Sequence, residues 1–190
     1  MEFQSLTWPE GKVNPSGIKS IGYWIPKSHI KVFPGIKNED AATIAEHVNY
    51  NGDFVLHTGK HWLTIYTTQG KGKVSFEAMG EKDAKMFTNK GTLKYPDIND
   101  EGRNLAKSSI NANCIFIIPM PQKRYAVIGS EDYDVENTIT GDSGDAPGSA
   151  KGLTIELSAP DVTPLPGYKG EILLENGSLD CETGVFTPNP

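Results

Sequence analysis

Cysteines are scarce in this sequence, and two features of secreted or membrane proteins are missing. Cys114 and Cys181 are the only cysteines among 190 residues, too few for a framework of several disulfides. Cys114 lies in a continuous apolar run, which favours a free core cysteine over a disulfide with Cys181. No apolar run approaches the ~18 residues of a membrane span, and no leader pattern opens the chain. We therefore expect a protein made in the cytoplasm, with no membrane span.

Basic residues are also in deficit. The chain has 18 Lys and Arg against 24 Asp and Glu, a formal net charge of -6. A protein that neutralises many phosphates needs a cationic surface, because its affinity comes from the counterions that Lys and Arg displace. The composition therefore argues against tight nucleic-acid binding. It still permits a surface that meets DNA by repelling it.

Sequence patterns of catalytic and metal sites are missing as well. The run Gly70-Lys71-Gly72-Lys73 leads into a strand pattern rather than a helix, so it predicts a hairpin turn and not a phosphate loop. His57 and His61 flank a turn but have no third or fourth ligand at zinc spacing. The acidic alternation at 131–136 lacks the glycine and the final glutamate of a calcium loop. We predict no catalytic residue, no cofactor and no metal site.

Aromatic residues are moderately abundant and leave one alternative open. A platform for sugar binding would need several of them exposed on one surface. A core or subunit-contact role is the more common fate of aromatics at this density. The candidates for either role are Trp8, Trp24, Trp62, Tyr66 and Tyr168.

What the chain does contain is turn residues and short apolar strands. Gly (20) and Pro (13) are enriched while hydrophobic residues make up 37%, a composition typical of a β-rich domain. Residues 114–118 form an unbroken apolar run that predicts a strand buried on both faces. Residues 119–122 include two prolines and are predicted to end the strand in a turn. The apolar pattern begins again at 124–128. The two strands predict a β-hairpin at the centre of the fold.

Alternation and turn residues predict the remaining strands. They are expected at 21–25, 29–33, 54–58, 61–68, 73–80, 85–87, 92–95, 153–158 and 168–174, with a weak strand around Tyr133 and Val135. Gly59 and Lys60 are predicted to join 54–58 and 61–68 as a hairpin that continues as a meander. A turn at 89–91 is predicted to separate 85–87 from 92–95. The predicted fold class is mainly β: an antiparallel sandwich or barrel with one or two short helices and long loops.

Helical spacing occurs twice, and the ends of the chain differ from its middle. A helix is predicted over 38–48, capped by Asn38, and another within 97–111, capped by Asn99 or Asp100. Residues 1–20 are predicted to be an N-terminal arm, and 21–175 a single domain. A flexible loop is predicted at 141–149, and 176–190 a C-terminal tail.

Several segments together resemble one family of structural proteins. They are Gly52-Asp-Phe-Val-Leu56, Gly59 through Tyr66, Gly80 through Asn89, the central hairpin, Gly144 through Leu157 and Pro166 through Ile172. In this combination the chain resembles the tail tube proteins of long-tailed bacteriophages, which are related in fold to the inner tubes of contractile injection systems. The resemblance covers roughly residues 50 to 175, whereas residues 1–49 match nothing in the family.

The resemblance implies a structural role. It implies stacked, hexameric rings that form a tube in the virion tail, assembled in the cytoplasm of a bacterial host. The implied partners are further copies of the chain, other tail proteins, and DNA that passes through the lumen without specific binding. The predicted inter-subunit loop consists of Gly141, Asp142, Ser143, Gly144, Asp145, Ala146, Pro147 and Gly148. The arm at 1–20 is a second candidate for contacts between rings.

Two other functions stay open at this point. One is a β-sandwich binding module on a virion or cell surface that recognises a glycan or a protein through Trp and Tyr side chains. The other is a tail connector or terminator that forms a single ring and never stacks. An enzyme ranks last, because it would need a cleft with perturbed titratable groups.

Overall fold

The structure is a computed structural model that describes residues 5–37 and 41–189. These residues contain thirteen strands, two α-helices and a 3-10 turn at Lys27–His29. The strands are β1 (Ile21–Pro26), β2 (Ile30–Val32), β3 (Val55–Leu56), β4 (Leu63–Tyr66), β5 (Lys73–Met79), β6 (Met86–Tyr95), β7 (Cys114–Met120), β8 (Arg124–Ile128), β9 (Glu136–Asp142), β10 (Gly152–Asp161), β11 (Glu171–Leu174), β12 (Gly177–Asp180) and β13 (Phe186–Pro188). The helices are α1 (Ile44–Val48) and α2 (Asp100–Ser109). The chain is mainly β, as predicted.

The first sheet has the order β4-β1-β7-β8 and is antiparallel throughout. Its β7–β8 pair is the predicted central hairpin, with Ile118 opposite Ala126. β7, the first strand of this hairpin, continues through Pro119 to Met120. The turn therefore begins later than predicted. The turn consists of Pro121, Gln122 and Lys123, and the last two take the left-handed conformation with φ of 60° and 56°.

The second sheet has the order β5-β6-β10-β9 and is also antiparallel. One face packs on the first sheet around a shared core: Trp24, Ile65, Phe116, Ile118 and Ile128 meet Leu93, Ile155, Leu157 and Ala159. A Cβ built on Gly91 would lie 2.6 Å from Ile128 Cδ1 and 2.9 Å from Ile118 Cδ1, so the two sheets are closely packed at this position. The pair is a β-sandwich, and its described strands do not close into a barrel.

A third layer covers the opposite face of the first sheet. The C-terminal sheet, β11-β12-β13, packs there together with the segment around β3. Their shared core consists of Tyr23, Ile25, Ile115, Ile117, Tyr125 and Val127 against Phe54, Trp62, Tyr168, Ile172 and Cys181. The first sheet is therefore covered on both faces, and the prediction of a doubly buried strand at 114–118 is confirmed. Such burial explains an apolar run without alternation.

The predicted hairpin of 54–58 with 61–68 is wrong. β3 pairs with β2, with Ile30 opposite Leu56, and β4 pairs with β1, with Gly22 opposite Ile65. The expected meander from β4 into β5 is also replaced, because those strands belong to different sheets. Gly59 does take a turn conformation, with φ of 74°. A turn residue thus reverses the chain without fixing the partner of the strand that follows.

The predicted turn at 89–91 is also wrong. Residues 86–95 form one strand, β6, which is the central pairing partner of both β5 and β10. Asn89 is completely buried, and its side chain forms hydrogen bonds to the backbone of Thr163 and Leu165 in the loop after β10. Gly91 is the close-approach position between the sheets. Asparagine and glycine favour turns when exposed. Here the Asn89 side chain instead forms hydrogen bonds to a loop, and the absence of a side chain at Gly91 allows the two sheets to pack closely.

Helix α1 is shorter than predicted, and α2 agrees with its prediction. Thr43 caps α1, because its side chain accepts a hydrogen bond from the Glu46 backbone N–H. The predicted cap Asn38 and the acidic pair that follows lie outside the described residues. Asn99 caps α2 as expected, its Oδ1 accepting from Gly102 N at 2.9 Å.

Two segments toward the C-terminus carry more structure than predicted. The weak strand expected around Tyr133 and Val135 is displaced, since β9 begins at Glu136 and Val135 is a buried anchor before it. The segment 176–190, predicted to be a tail, forms β12 and β13 within its described part. Cys181 at the end of β12 is buried. The final segment therefore contributes to the core.

Both cysteines are free and buried, so the expectation of unpaired thiols is confirmed. Burial raises the pKa of the Cys114 thiol to about 11. Burial, with a smaller effect of Asp180, raises the pKa of Cys181 to about 12. Because the thiolate is the reactive form, both side chains are expected to be inert.

Candidate functional site

The outer face of the second sheet is an unusually regular polar surface. We use the term outer face for the side chains of this sheet that point away from the first sheet. The register places one set of them there: Lys73, Ser75, Glu77 and Met79 of β5; Thr88, Lys90, Thr92 and Lys94 of β6; Thr154, Glu156, Ser158 and Pro160 of β10; and Glu136, Thr138, Thr140 and Asp142 of β9. Apart from Met79 and Pro160, every member of this set carries a hydroxyl group or a charge.

The charges on the outer face lie close to one another. Lys90 Nζ contacts Glu77 Oε1 at 2.5 Å, and Lys94 donates to the hydroxyl of Thr154 across the sheet. A shallow concavity in the same face is lined by Lys73, Ser75, Lys90, Glu136, Thr138, Glu156 and Ser158 among others. Three lysines stand against four carboxylates over the whole face, so its charge is nearly balanced.

The two edges of the second sheet are open. β5 pairs with β6 on one side, and β9 pairs with β10 on one side. Neither strand makes a backbone hydrogen bond to any other segment of residues 5–37 and 41–189. Each edge is seven residues long. Open edges of this length are normally blocked in soluble proteins, because they template pairing with another chain.

The β5 edge also exposes apolar side chains. Phe76 is 52% exposed and Met79 is 42% exposed. Phe76 points toward the core side of the sheet, where its ring meets Phe87 edge-to-face at 5.9 Å. This edge is therefore incompletely buried in the isolated chain.

The predicted inter-subunit loop is divided between a strand and a connection. Gly141 and Asp142 belong to β9, and the following residues form the β9–β10 connection, nearly all exposed. Asp142 Oδ1 accepts from Gly144 N at 2.9 Å. The Ser149 hydroxyl donates to Asp145 Oδ1 at 2.7 Å and lowers the pKa of Asp145. The loop connects the paired strands β9 and β10 at one end of the second sheet.

The N-terminal arm leaves three large apolar side chains in solvent, whereas its Ile18 packs against the core between the two sheets. Across the described part of the predicted arm, Leu6, Trp8 and Val13 are 102%, 59% and 77% exposed. The ammonium group of Lys12 lies 5.1 Å from the Trp8 ring. Gln122 in the β7–β8 turn donates to the Val13 carbonyl at 3.2 Å. The arm is thus attached at residue 13 but has no core of its own.

The other residues singled out from the sequence do not converge on a site. The described residues contain no group of three or more His, Cys, Asp or Glu that is arranged for a metal ion. Partial burial lowers the pKa of His29, and the neighbouring Lys60, His57 and His61 lower it further. Within the described segments, no helix is long and apolar enough to cross a membrane.

The five aromatic candidates are separated by the fold. Trp24, Trp62 and Tyr168 are buried, in agreement with the core role that aromatic density favours. Trp8 lies on the arm, and Tyr66 is exposed on β4. The five residues therefore do not form one exposed platform. Sequence reasoning missed the open edges and the polar outer face, although the alternation of Thr, Lys, Thr and Lys at positions 88–94 was a signal for the latter.

No protein-family model, curated protein or solved structure matches the chain.

Proposed function

We propose that this chain is the structural subunit of a bacteriophage tail tube, assembling head-to-tail into hexameric rings that stack and conduct DNA. One observation carries the proposal: the second sheet is open at both edges, and these edges run in opposite directions. Its four strands alternate in direction from β5 to β9. The β5 edge of one copy therefore meets the β9 edge of the next as an antiparallel pair.

A contact of this kind repeats around a ring. It joins two different surfaces of the same chain, so it is heterologous, and heterologous contacts close into rings when the rotation permits. Six copies of the four-stranded sheet would form a barrel of about 24 strands, with a circumference of about 115 Å at ~4.8 Å per strand and a diameter of about 37 Å before strand tilt. After side chains are added, such a lumen accommodates a DNA duplex.

The composition of the outer face supports its role as the wall of the lumen. Hydroxyls and nearly balanced charges present no cationic stripe to the phosphates. A wall that bound phosphates through many lysines would release counterions and hold the DNA in place. Lys90 and Lys94 are instead engaged by Glu77 and Thr154. A duplex is expected to slide along this face without specific binding.

Ring-to-ring contacts would come from segments that project from the sandwich. The loop between β9 and β10 lies at one end of the second sheet. The arm carries Leu6, Trp8 and Val13, whose side chains are exposed. Side chains of this type are stabilised by burial against another molecule. The partners we propose are further copies of the chain and other tail proteins, in a virion tail assembled in the host cytoplasm.

Electron microscopy of the purified protein over a concentration series, with light scattering in parallel, tests the proposal. We expect rings or tubes with a central channel. Phe76→Lys, which places a charge at the open β5 edge, should prevent them. Val185→Lys is the matched control, because Val185 is 57% exposed and lies directly before β13, outside both edge strands. Thermal unfolding of both variants checks that each is folded.

The outcomes separate the proposed function from its alternatives. A monodisperse monomer at every concentration would overturn spontaneous tube formation. Rings that never stack would indicate a connector or terminator. Tubes that form equally well from Phe76→Lys would show that the β5 edge is not used. A glycan-binding module draws no support from the fold, because Trp24, Trp62 and Tyr168 are buried.

A further inference from the structure

The two open edges of the second sheet are complementary to each other in detail. Both strands have seven residues, Lys73–Met79 and Glu136–Asp142. In both, successive side chains alternate between the outer face and the core side. An antiparallel pair must keep outer side chains opposite outer ones, because a slip of one residue moves every side chain to the other face. The registers compatible with this rule therefore differ by steps of two residues.

We infer that copies of this chain join through one specific register, with Lys73 of one copy opposite Asp142 of the next. We call this β5–β9 contact the seam; the inference rests on the proposed function and names its ring interface. In this register all seven residues of each strand are paired. Phe76 then lies opposite Ile139 on the core side, and Ser75 lies opposite Thr140 on the outer face.

Charge and apolar matching single out this register. Lys73 and Asp142 are both exposed, and neither forms an ion pair within the described chain. Opposite charges at facing positions stabilise a strand pair, as do facing apolar side chains. Phe76 is 52% exposed, and Ile139 is half-buried beside the core between the sheets. Their contact would complete the burial of Phe76.

The neighbouring registers lose these contacts. If β5 slips by two residues in one direction, Glu77 faces Glu136 and Phe76 faces Asn137, which places like charges and an apolar–polar pair together. If it slips in the other direction, Ser75 faces Asp142 and Phe76 faces Gly141. Both slips leave two residues of each strand unpaired. The alignment of Lys73 with Asp142 pairs all seven residues of each strand and places no like charges opposite each other, and its apolar–polar pairs are Met79 with Glu136 and Ala78 with Asn137.

Disulfide trapping in assembled protein tests the register. Facing Cα atoms in an antiparallel pair are about 4.5–5.5 Å apart, within the range that a disulfide spans. We expect Lys73→Cys/Asp142→Cys to form a ladder of covalent oligomers under oxidation. Lys73→Cys/Glu136→Cys is the matched control, since its thiols would lie about 20 Å apart along the seam. The native Cys114 and Cys181 are buried and should not interfere.

A charge exchange provides a second, independent readout. Lys73→Glu and Asp142→Lys each place like charges at the seam and should raise the concentration needed for assembly about fivefold per contact. The double variant Lys73→Glu/Asp142→Lys restores opposite charges and should return assembly toward that of the wild type. Rescue by the double variant would show that Lys73 and Asp142 pair directly, because the exchange leaves the net charge of the chain unchanged.

The possible results distinguish the register from the proposed function. If the wild type assembles but Lys73→Cys/Thr140→Cys traps better than Lys73→Cys/Asp142→Cys, the register is wrong and the tube proposal stands. The register is also wrong if the double charge variant assembles no better than the single ones. If the wild type does not assemble and no pair is trapped at any concentration, both inferences are overturned.

Discussion

Asn89 provides the sharpest test of the sandwich itself, because the structure gives it a role opposite to that suggested by the sequence. Its side chain is completely buried in β6. Asn89 Nδ2 donates to the Thr163 carbonyl at 3.0 Å, and Asn89 Oδ1 accepts from Leu165 N at 2.8 Å. Leu165 has φ of 43°, a left-handed conformation that is unfavourable for leucine. The asparagine therefore holds a strained loop against the sheet.

The expected cost of Asn89→Ala follows from these two bonds. Leaving a buried backbone donor or acceptor without a partner costs about 1–3 kcal/mol. Leu165 is half-buried and can recover part of that from water. We therefore expect a loss of about 2–4 kcal/mol in the free energy of unfolding, a large share of the ~5–15 kcal/mol of a typical domain. Asn89→Asp keeps the acceptor but turns a carboxylate toward the Thr163 carbonyl, and should cost at least as much.

Equilibrium unfolding in urea, followed by circular dichroism, measures this loss. Lys90→Ala is the control at the adjacent position on the outer face. Its ion pair with Glu77 is largely exposed and should contribute less than about 1 kcal/mol. A change of under about 0.5 kcal/mol for Asn89→Ala would show that the two hydrogen bonds of Asn89 do not hold the loop against the sheet. It would place Asn89 in an exposed turn, as its residue type suggests.

Three further predictions concern single buried groups. Tyr168→Phe should cost about 1–3 kcal/mol in urea unfolding, because the hydroxyl accepts from Phe54 N at 3.3 Å and donates to the Glu171 carbonyl at 2.8 Å. Gly91→Ala should cost about 1–3 kcal/mol, because its methyl group would press on Ile118 and Ile128; thermal unfolding measures it. For Asp161, burial raises the pKa above its usual 3.8, so the relative stability of Asp161→Asn should improve as pH rises from about 4 to about 7.

The sign of the Asp161 effect follows from its surroundings. Asp161 is 4% exposed, and its Oδ2 has no hydrogen-bond partner among the described residues. A folded-state pKa above the unfolded value means that the protonated form favours folding, so this stabilisation is present below pH 3.8 and is lost as pH rises through the raised pKa. A pH-independent difference between wild type and variant would contradict this. If Tyr168→Phe were as stable as the wild type, the hydrogen bonds of the Tyr168 hydroxyl would not contribute to stability. If Gly91→Ala were as stable as the wild type, the close packing of the sheets at Gly91 would be contradicted.

Local sequence patterns identified most strands of the two packed sheets, although they missed β9 and the strands β12 and β13 of the C-terminal sheet. The apolar run of β7 needed no alternation, because a strand covered on both faces buries all its side chains. The alternation of Leu153, Ile155 and Leu157 identified β10 and its buried face correctly. Asn99 identified the start of α2, since a cap acts on the backbone of its own helix. These features depend on the residues next to them in sequence.

Which strands pair, and what the turn-forming residues do, depends on contacts between segments that are distant in sequence. β4 pairs with β1 rather than with β3, because a strand takes the partner that completes a buried layer, and its own residues do not specify that partner. Asn89 and Gly91 carry local turn preferences that the packing of two sheets overrides. The open edges β5 and β9 are likewise invisible in the sequence, because an edge is defined by the absence of a neighbour. The proposed assembly depends on those edges and therefore on the fold as a whole.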